Sequence, residues 1–338
     1  MRPHYLIGCR RAPLALIVCG LLAVSACQRP REAGRALSIA VVPKGTTAEF
    51  WNSVHAGAVK AERELKAAGL NVTITWKGPL REDDREQQVQ VVEGFTSQGI
   101  NGLVLAPLDD RALVRPIEEA KAAGVPTVII DSALRSDQIV SFVATDNYKG
   151  GALAADRLAE AVNERGRVLL LRYQEGSAST TAREQGFLDR MKAAHPKVIV
   201  LPSEQYAGPT RDTAKRASEN LLNRLAGDLQ GIFCVNESST AGMLLALQDV
   251  DKAGKIAFVG FDPSQPFIDA LAAGQMQGIV VQNPLNMGYL GVKTMVNHLL
   301  GKSVDKRIDT GVWMITKDNL TKPESQELLK PPIAKYLN

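Results

Sequence analysis

Cysteine is scarce in this chain, histidine has no useful spacing, and the usual signatures of catalysis are missing. The 338 residues hold four cysteines and four histidines. Cys9 and Cys19 lie in an N-terminal apolar segment, Cys27 follows it, and Cys234 stands alone inside GIFCV. With Cys9 and Cys19 removed and Cys27 read below as the lipid site, Cys234 has no cysteine to pair with and reads as a small buried hydrophobe. His55, His195 and His298 are scattered at distances that suit no metal site. The first apolar run is not followed by GxGxxG, and GxxxxGK[ST], GxSxG and HExxH are absent. No nucleophile sits beside a base, so no enzyme, cofactor or metal is expected.

The N-terminus is an address. Arg2, Arg10 and Arg11 precede Leu14 to Val24 (LALIVCGLLAV), which is too short to span a bilayer comfortably. Val24-Ser25-Ala26-Cys27 matches a bacterial lipobox, with small residues directly before the cysteine that would receive lipid. An ordinary secretory signal with an incidental cysteine, or an uncleaved anchor, is the competing reading. On the lipobox reading residues 1–26 are a signal peptide, Cys27 is the lipidation site and residues 27–35 are a tether. Removing the signal takes away three of 40 basic residues and no acid, leaving 37 basic against 36 acidic side chains. That balance argues against a nucleic-acid partner, which needs a clustered basic face.

The remaining 312 residues suit two domains. Short apolar runs alternate with amphipathic stretches almost throughout, the pattern of parallel βαβ units. Strands are expected at 37–42, 72–76, 102–106, 126–130 and 140–143, with helices at about 50–68, 84–98 and 110–123 between them. Gly69, Gly99 and Gly124 stand where left-handed residues end those helices. The rhythm restarts with helix 148–164 and strand 167–171, and runs through strands 198–201, 231–235, 256–260 and 278–281 to helix 286–300 and strand 312–316. Two similar lobes fit this better than one large doubly wound sheet.

Polar or aromatic residues recur just past these runs. In open α/β sheets ligands bind beyond the carboxyl ends of the strands, so such residues point to one site. Phe50 and Trp51 follow the first strand; adjacent helical residues point about 100° apart, so they cannot share one core face. Asp131 ends PTVII, and Asp262 ends IAFVGF just before Pro263, where helix capping is the competing role. Asn147, Asn236 and Gln282 offer both donor and acceptor, although turn residues of the same types are common. Arg183, in STTAREQGF, could donate to vicinal hydroxyls or could be a surface residue of a helix's first turns. The set suits holding a neutral polyhydroxylated molecule better than transforming one.

Taken together, VVPKGTTAEFW, GLVLAPLD, PTVIIDS, ATDNYKGG, TTAREQGF, FCVNES, FVGFDP and VVQNP resemble the type I periplasmic binding proteins of sugar ABC transporters, especially the ribose- and allose-binding branch. The likeness spans about residues 36–316. It implies two Rossmann-like lobes joined by three crossovers, one from 36–145 plus 283–309 and one from 146–282 plus 310–325, with 326–338 as a tail. By motif, Phe50 and Trp51 would form an aromatic platform faced by Tyr206. Asp131, Asn147, Arg183, Asn236, Asp262 and Gln282 would read hydroxyls, and Lys44 would touch the sugar. Ala48, Glu49, Ser132 and Glu237 depart from the family's pattern and bear on which ligand is held.

The expectation is thus a lipid-anchored, monomeric binding protein that captures a monosaccharide or related polyol and delivers it to the membrane subunits of an ABC permease. A sensor that presents the ligand to a chemoreceptor or membrane kinase is the alternative. The export signal and the missing helix-turn-helix exclude a cytoplasmic repressor of similar fold.

Overall fold

The computed structural model describes residues 36–337 apart from Ser203 and Ala226, so the signal, Cys27 and the tether lie outside the described residues. The chain starts with β1 (Leu37–Val42), α1 (Glu49–Ala67), β2 (Val72–Trp76), α2 (Arg85–Ser97), β3 (Gly102–Leu105), α3 (Val114–Ala122), β4 (Thr127–Ile130) and β5 (Ser141–Ala144). A second series follows: α4 (Asn147–Ala161), β6 (Gly166–Leu171), α5 (Ala178–Ala194), β7 (Val198–Leu201), α6 (Arg211–Leu225) and β8 (Gly231–Cys234). It continues with α7 (Glu237–Asp249), β9 (Ala257–Phe261), α8 (Gln265–Ala272) and β10 (Gly278–Val281). The chain finishes with α9 (Pro284–Leu299), β11 (Arg307–Asp309), β12 (Trp313–Ile315), α10 (Pro323–Leu329) and α11 (Ala334–Leu337).

These strands form two six-stranded sheets, in the orders β11-β5-β4-β3-β1-β2 and β12-β10-β9-β8-β6-β7. All ladders are parallel except β10–β12. Central strands such as β3, β4, β8 and β10 are buried at every residue, as continuous apolar runs covered by helices on both faces should be. Each sheet therefore carries two apolar clusters: Val54, Ile130 and Met287 against Leu103, Leu113 and Ile117 in the first lobe, and Leu247, Phe258 and Leu271 against Leu158, Phe187 and Phe233 in the second. Burying each Leu, Ile or Phe contributes about 1.5–3 kcal/mol.

Gly69, Gly99 and Gly124 end α1, α2 and α3 with φ of 82°, 66° and 82°, the left-handed cap that glycine adopts without a Cβ penalty. Some boundaries move. The third helix starts at Val114 rather than near 110 because the Asp109 carboxylate accepts the Arg111 and Ala112 N–H groups at 2.9 Å each, turning the chain first. The seventh starts at Glu237, directly after Asn236, which forms a reciprocal capping box with Ser239. β11 was not foreseen; three residues of RID carry no apolar run.

The chain passes between the sheets three times, from β5 into α4, from β10 into α9, and from β11 to β12. The first and third passages are tied together. Thr145 Oγ1 lies 3.3 Å from Thr310 Oγ1, and Arg307 donates to the carbonyls of Ala144 at 2.7 Å and Thr145 at 3.0 Å. The last segment is more than a tail: Leu329 of α10 joins the second lobe's core. Beyond it, Arg63 of α1 donates to the carbonyls of Lys335 and Tyr336 in α11 at 2.8 and 2.9 Å. The described residues belong to one compact unit.

Candidate ligand-binding site

A cavity of about 530 Å³ opens between the carboxyl edges of the two sheets, a size typical of small-molecule sites. Lys44, Phe50, Trp51, Asp131, Arg183, Asn236, Asp262 and Gln282 all line it. Asn147 and Tyr206 do not.

The first lobe's contribution starts beyond β1. Lys44 Nζ lies 2.8 Å from Asp131 Oδ2, with both side chains only 4% exposed, and donates to Ser179 Oγ of the second lobe at 3.0 Å. Asp131 has φ of 60°, a left-handed position that Asp tolerates better than most residues, and no helix follows it to be capped. Phe50 and Trp51 open α1 with their rings edge to face, 4.9 Å apart, and both reach the cavity. The Trp51 Nε1–H donates to Glu82 Oε1 at 2.9 Å.

In the second lobe Arg183 is buried on α5 rather than exposed. Its Nε donates to Asn147 Oδ1 at 2.8 Å, its Nη1 to the Val235 carbonyl at 2.8 Å, and its guanidinium lies 3.8 Å from the Phe261 ring centroid. Asn147 thus holds Arg183 from behind instead of facing the cavity. Arg183 Nη1 is 3.8 Å from Asp262 Oδ2, and Gln282 donates to Asp262 Oδ1 at 2.7 Å. Burial raises the Asp262 pKa to about 6 even though Arg183 and Gln282 pull it down. Ser264, not Asp262, is the N-cap residue of α8. Asn236 lines the cavity and caps α7 at once.

Two buried polar atoms on the lining have no protein partner, Gln282 Oε1 and Ser177 Oγ. A buried polar atom left unpaired costs about 1–3 kcal/mol, so each favours a guest that offers a hydrogen bond.

Glu82, Tyr173 and Glu237 are among the lining residues that were not expected as contacts. Tyr173, not Tyr206, brings the second lobe's aromatic to the cavity; Tyr206 is 37% exposed, bridged through its backbone to Arg172. The Tyr173 hydroxyl donates to Glu82 Oε2 at 2.9 Å. Burial raises the Glu82 pKa against the opposing pull of Lys44, Trp51 and Tyr173. Glu237 accepts from Arg211 at 2.7 Å and from the Phe50 N–H at 3.3 Å, so a carboxylate of the second lobe satisfies one of the free N–H groups opening α1. Ser132 accepts the Ser179 N–H at 3.0 Å. Two of the departures, Ser132 and Glu237, thus join the lobes. Burial and the neighbouring Glu237 raise the Glu49 pKa at the cavity mouth.

Among the described residues no group of His, Cys, Asp or Glu could hold a metal ion, and no helix is long and apolar enough to cross a membrane. Two α/β lobes with a polar, aromatic-bearing cleft at facing strand ends define a binding protein that takes its guest between lobes.

The chain belongs to the periplasmic binding protein family: the family's domain model matches residues 39–303. It is 31% identical to the D-allose-binding periplasmic protein of Escherichia coli over 78% of this chain and 84% of that one. It is 30% identical to the ribose import binding protein RbsB of Bacillus subtilis over 76% and 80%. Among solved structures, an ABC transporter solute-binding protein of Agrobacterium vitis with bound D-fucose superposes with a TM-score of 0.81 at 36% identity, covering 86% of this chain and 99% of that one. A carbohydrate transporter solute-binding protein of Agrobacterium radiobacter in complex with D-arabinose gives 0.82 at 31% identity, over 87% and 99%. These relatives are solute-binding transport proteins, not enzymes.

Proposed function

We propose that this protein is the sugar-binding component of an ABC importer, exported and held at a membrane by lipid on Cys27. It captures a monosaccharide or related polyol between its lobes and delivers it to the permease. The observation that carries this reading is the convergence of Asp131 and Asp262, from different lobes, on one cavity with Phe50, Trp51 and Arg183. Carboxylates and carboxamides suit hydroxyl groups, and charge-assisted bonds are about twice as strong as neutral ones. Aromatic faces suit the C–H face of a sugar ring. The D-fucose and D-arabinose held by the two structural neighbours support the ligand class.

The mechanism follows from where the contacts lie. A ligand that touches both lobes only when they are together shifts the open–closed equilibrium by its differential affinity for the two states. The lobes 36–145 plus 283–309 and 146–282 plus 310–325 would turn about the three passages, with Thr145, Arg307 and Thr310 at the pivot. Closed lobes then offer the permease a surface that neither lobe offers alone.

A thermal-shift screen of sugars, polyols and small acids tests this. A specific ligand at 100 times its dissociation constant should stabilise the protein by about 2.7 kcal/mol. Stabilisation by small acids alone would defeat the sugar reading.

A further inference from the structure

Glu82 stands on the turn between β2 and α2, and its carboxylate meets both lobes. One oxygen accepts from Trp51 of the first lobe and the other from the Tyr173 hydroxyl of the second, both at 2.9 Å. Its carbonyl accepts from Gln174 Nε2 at 2.9 Å, a second tie across the cleft after that to Tyr173. The four cations of the lining are engaged elsewhere: Lys44 with Asp131, Arg183 with Asn147 and the Val235 carbonyl, Arg211 with Glu237, and Arg81 with Asp83. Among the described residues, no cation lies within ion-pair distance of the Glu82 carboxylate.

We propose that Glu82 is the specificity-determining residue of this cavity: it joins Trp51 to Tyr173 across the closed cleft and, as a pure acceptor, admits hydroxyl donors there while rejecting sugar acids. The proposal rests on the sugar-binding reading above. An ionised carboxylate has about four acceptor sites and no donor, and Trp51 and Tyr173 use two of them. The remaining sites can take a ligand hydroxyl. A ligand carboxylate brought to the same place meets a like charge in a poorly solvated cleft, where repulsion is far stronger than in water.

The two roles separate in two variants. Glu82→Gln keeps the shape: its amide oxygen can accept from Trp51, and its amino group can donate to the Tyr173 oxygen. The charge is lost, and one acceptor oxygen becomes a donor. Tyr173→Phe keeps the charge and removes the cross-cleft bond. The experiment is calorimetric titration of wild type and both variants with D-fucose, D-arabinose and the corresponding acids D-galacturonate and D-arabinonate. Wild type should prefer the neutral sugar it binds best over the acids at least a hundredfold. Glu82→Gln should narrow that ratio at least tenfold, whereas Tyr173→Phe should weaken neutral sugar about tenfold and leave the ratio alone.

A ratio unchanged in Glu82→Gln, with all ligands weakened alike, would reduce Glu82 to a brace and overturn the proposal. Wild type that binds acids as well as neutral sugars overturns it too. Wild type that binds none of the sugars or acids overturns the sugar reading, and this proposal with it.

Discussion

Asp131 and Asp262 hold equivalent places in the two lobes. Each follows by one residue the third strand from one edge of its sheet, β4 or β9, and each has left-handed backbone, with φ of 60° and 65°. Each N–H reaches the adjacent strand, to the Val143 carbonyl at 3.2 Å and the Val280 carbonyl at 2.8 Å. Their cations differ: Lys44 touches Asp131 at 2.8 Å, whereas Arg183 stands 3.8 Å from Asp262 and is held by Asn147 and Val235 as well.

That asymmetry sets different outcomes for the two carboxylates. Asp131→Ala strands a buried lysine, a loss of about 3–5 kcal/mol. Asp262→Asn keeps a residue tolerant of left-handed backbone and leaves Arg183 its other partners. Because Asn removes a buried charge, its unfolding midpoint at neutral pH should match or exceed wild type, while ligand-induced stabilisation falls by about 1.5–3 kcal/mol, the worth of a charge-assisted bond. Denaturant titrations with and without sugar check both.

Asp262 also gives the protein a pH signature. Its folded pKa, about 6, lies above the unfolded value near 3.9, so the folded state holds a proton that the unfolded state has released. The stability this provides is present below the unfolded value and is lost as pH rises through about 6, a change of roughly 3 kcal/mol at 1.36 kcal/mol per unit. Ligand hydroxyls need the ionised form, so sugar affinity should rise over the same interval. Arg183, Gln282, Glu237 and Asp131 set the carboxyl's environment. Asp262→Asn should flatten both profiles, as measured by unfolding and calorimetry at pH 4.5, 6 and 7.5.

Helix contact by glycine positions Arg183. A Cβ on Gly151 would fall 1.9 Å from the Arg183 carbonyl, and one on Gly186 would fall 2.0 Å from that of Tyr148, so α4 and α5 can approach this closely only without side chains there. Gly151→Ala should cost about 1–3 kcal/mol by overpacking and weaken sugar binding by displacing α5. Gly94→Ala, inside α2 with open space around it, should instead stabilise by about 0.5–1 kcal/mol and leave binding alone. Melting curves with and without ligand separate the two.

Much of this was readable from residues. LSIAVV, VTITW, VIVL and GIVV are strands with the expected bounds, because short runs rich in β-branched residues between polar turns favour extended backbone. Residues directly past strands, such as Asp131, Asp262 and Gln282, were also visible, since the edge of a parallel sheet fixes where they stand. Asn147 was placed on the right edge, but its role behind Arg183 depends on how α4 meets α5, which no local pattern reveals. Motif likeness pointed to Tyr206 and Tyr173 was not considered, although Tyr173 lies two residues past β6, as Lys44 lies two past β1; comparing the two halves position by position would have found it. Glu82 sits among charged residues that read as a helix start. Asp84 does cap α2 there, accepting from Gln87 at 2.9 Å, and its neighbour Glu82 points to the cleft.

Calorimetric titration of the protein with neutral monosaccharides, repeated on Asp262→Asn, tests the central claim most directly. One sugar should bind wild type at a single site and lose at least tenfold in affinity in the variant. Heat from no neutral sugar, or binding that the variant leaves unchanged, would contradict it.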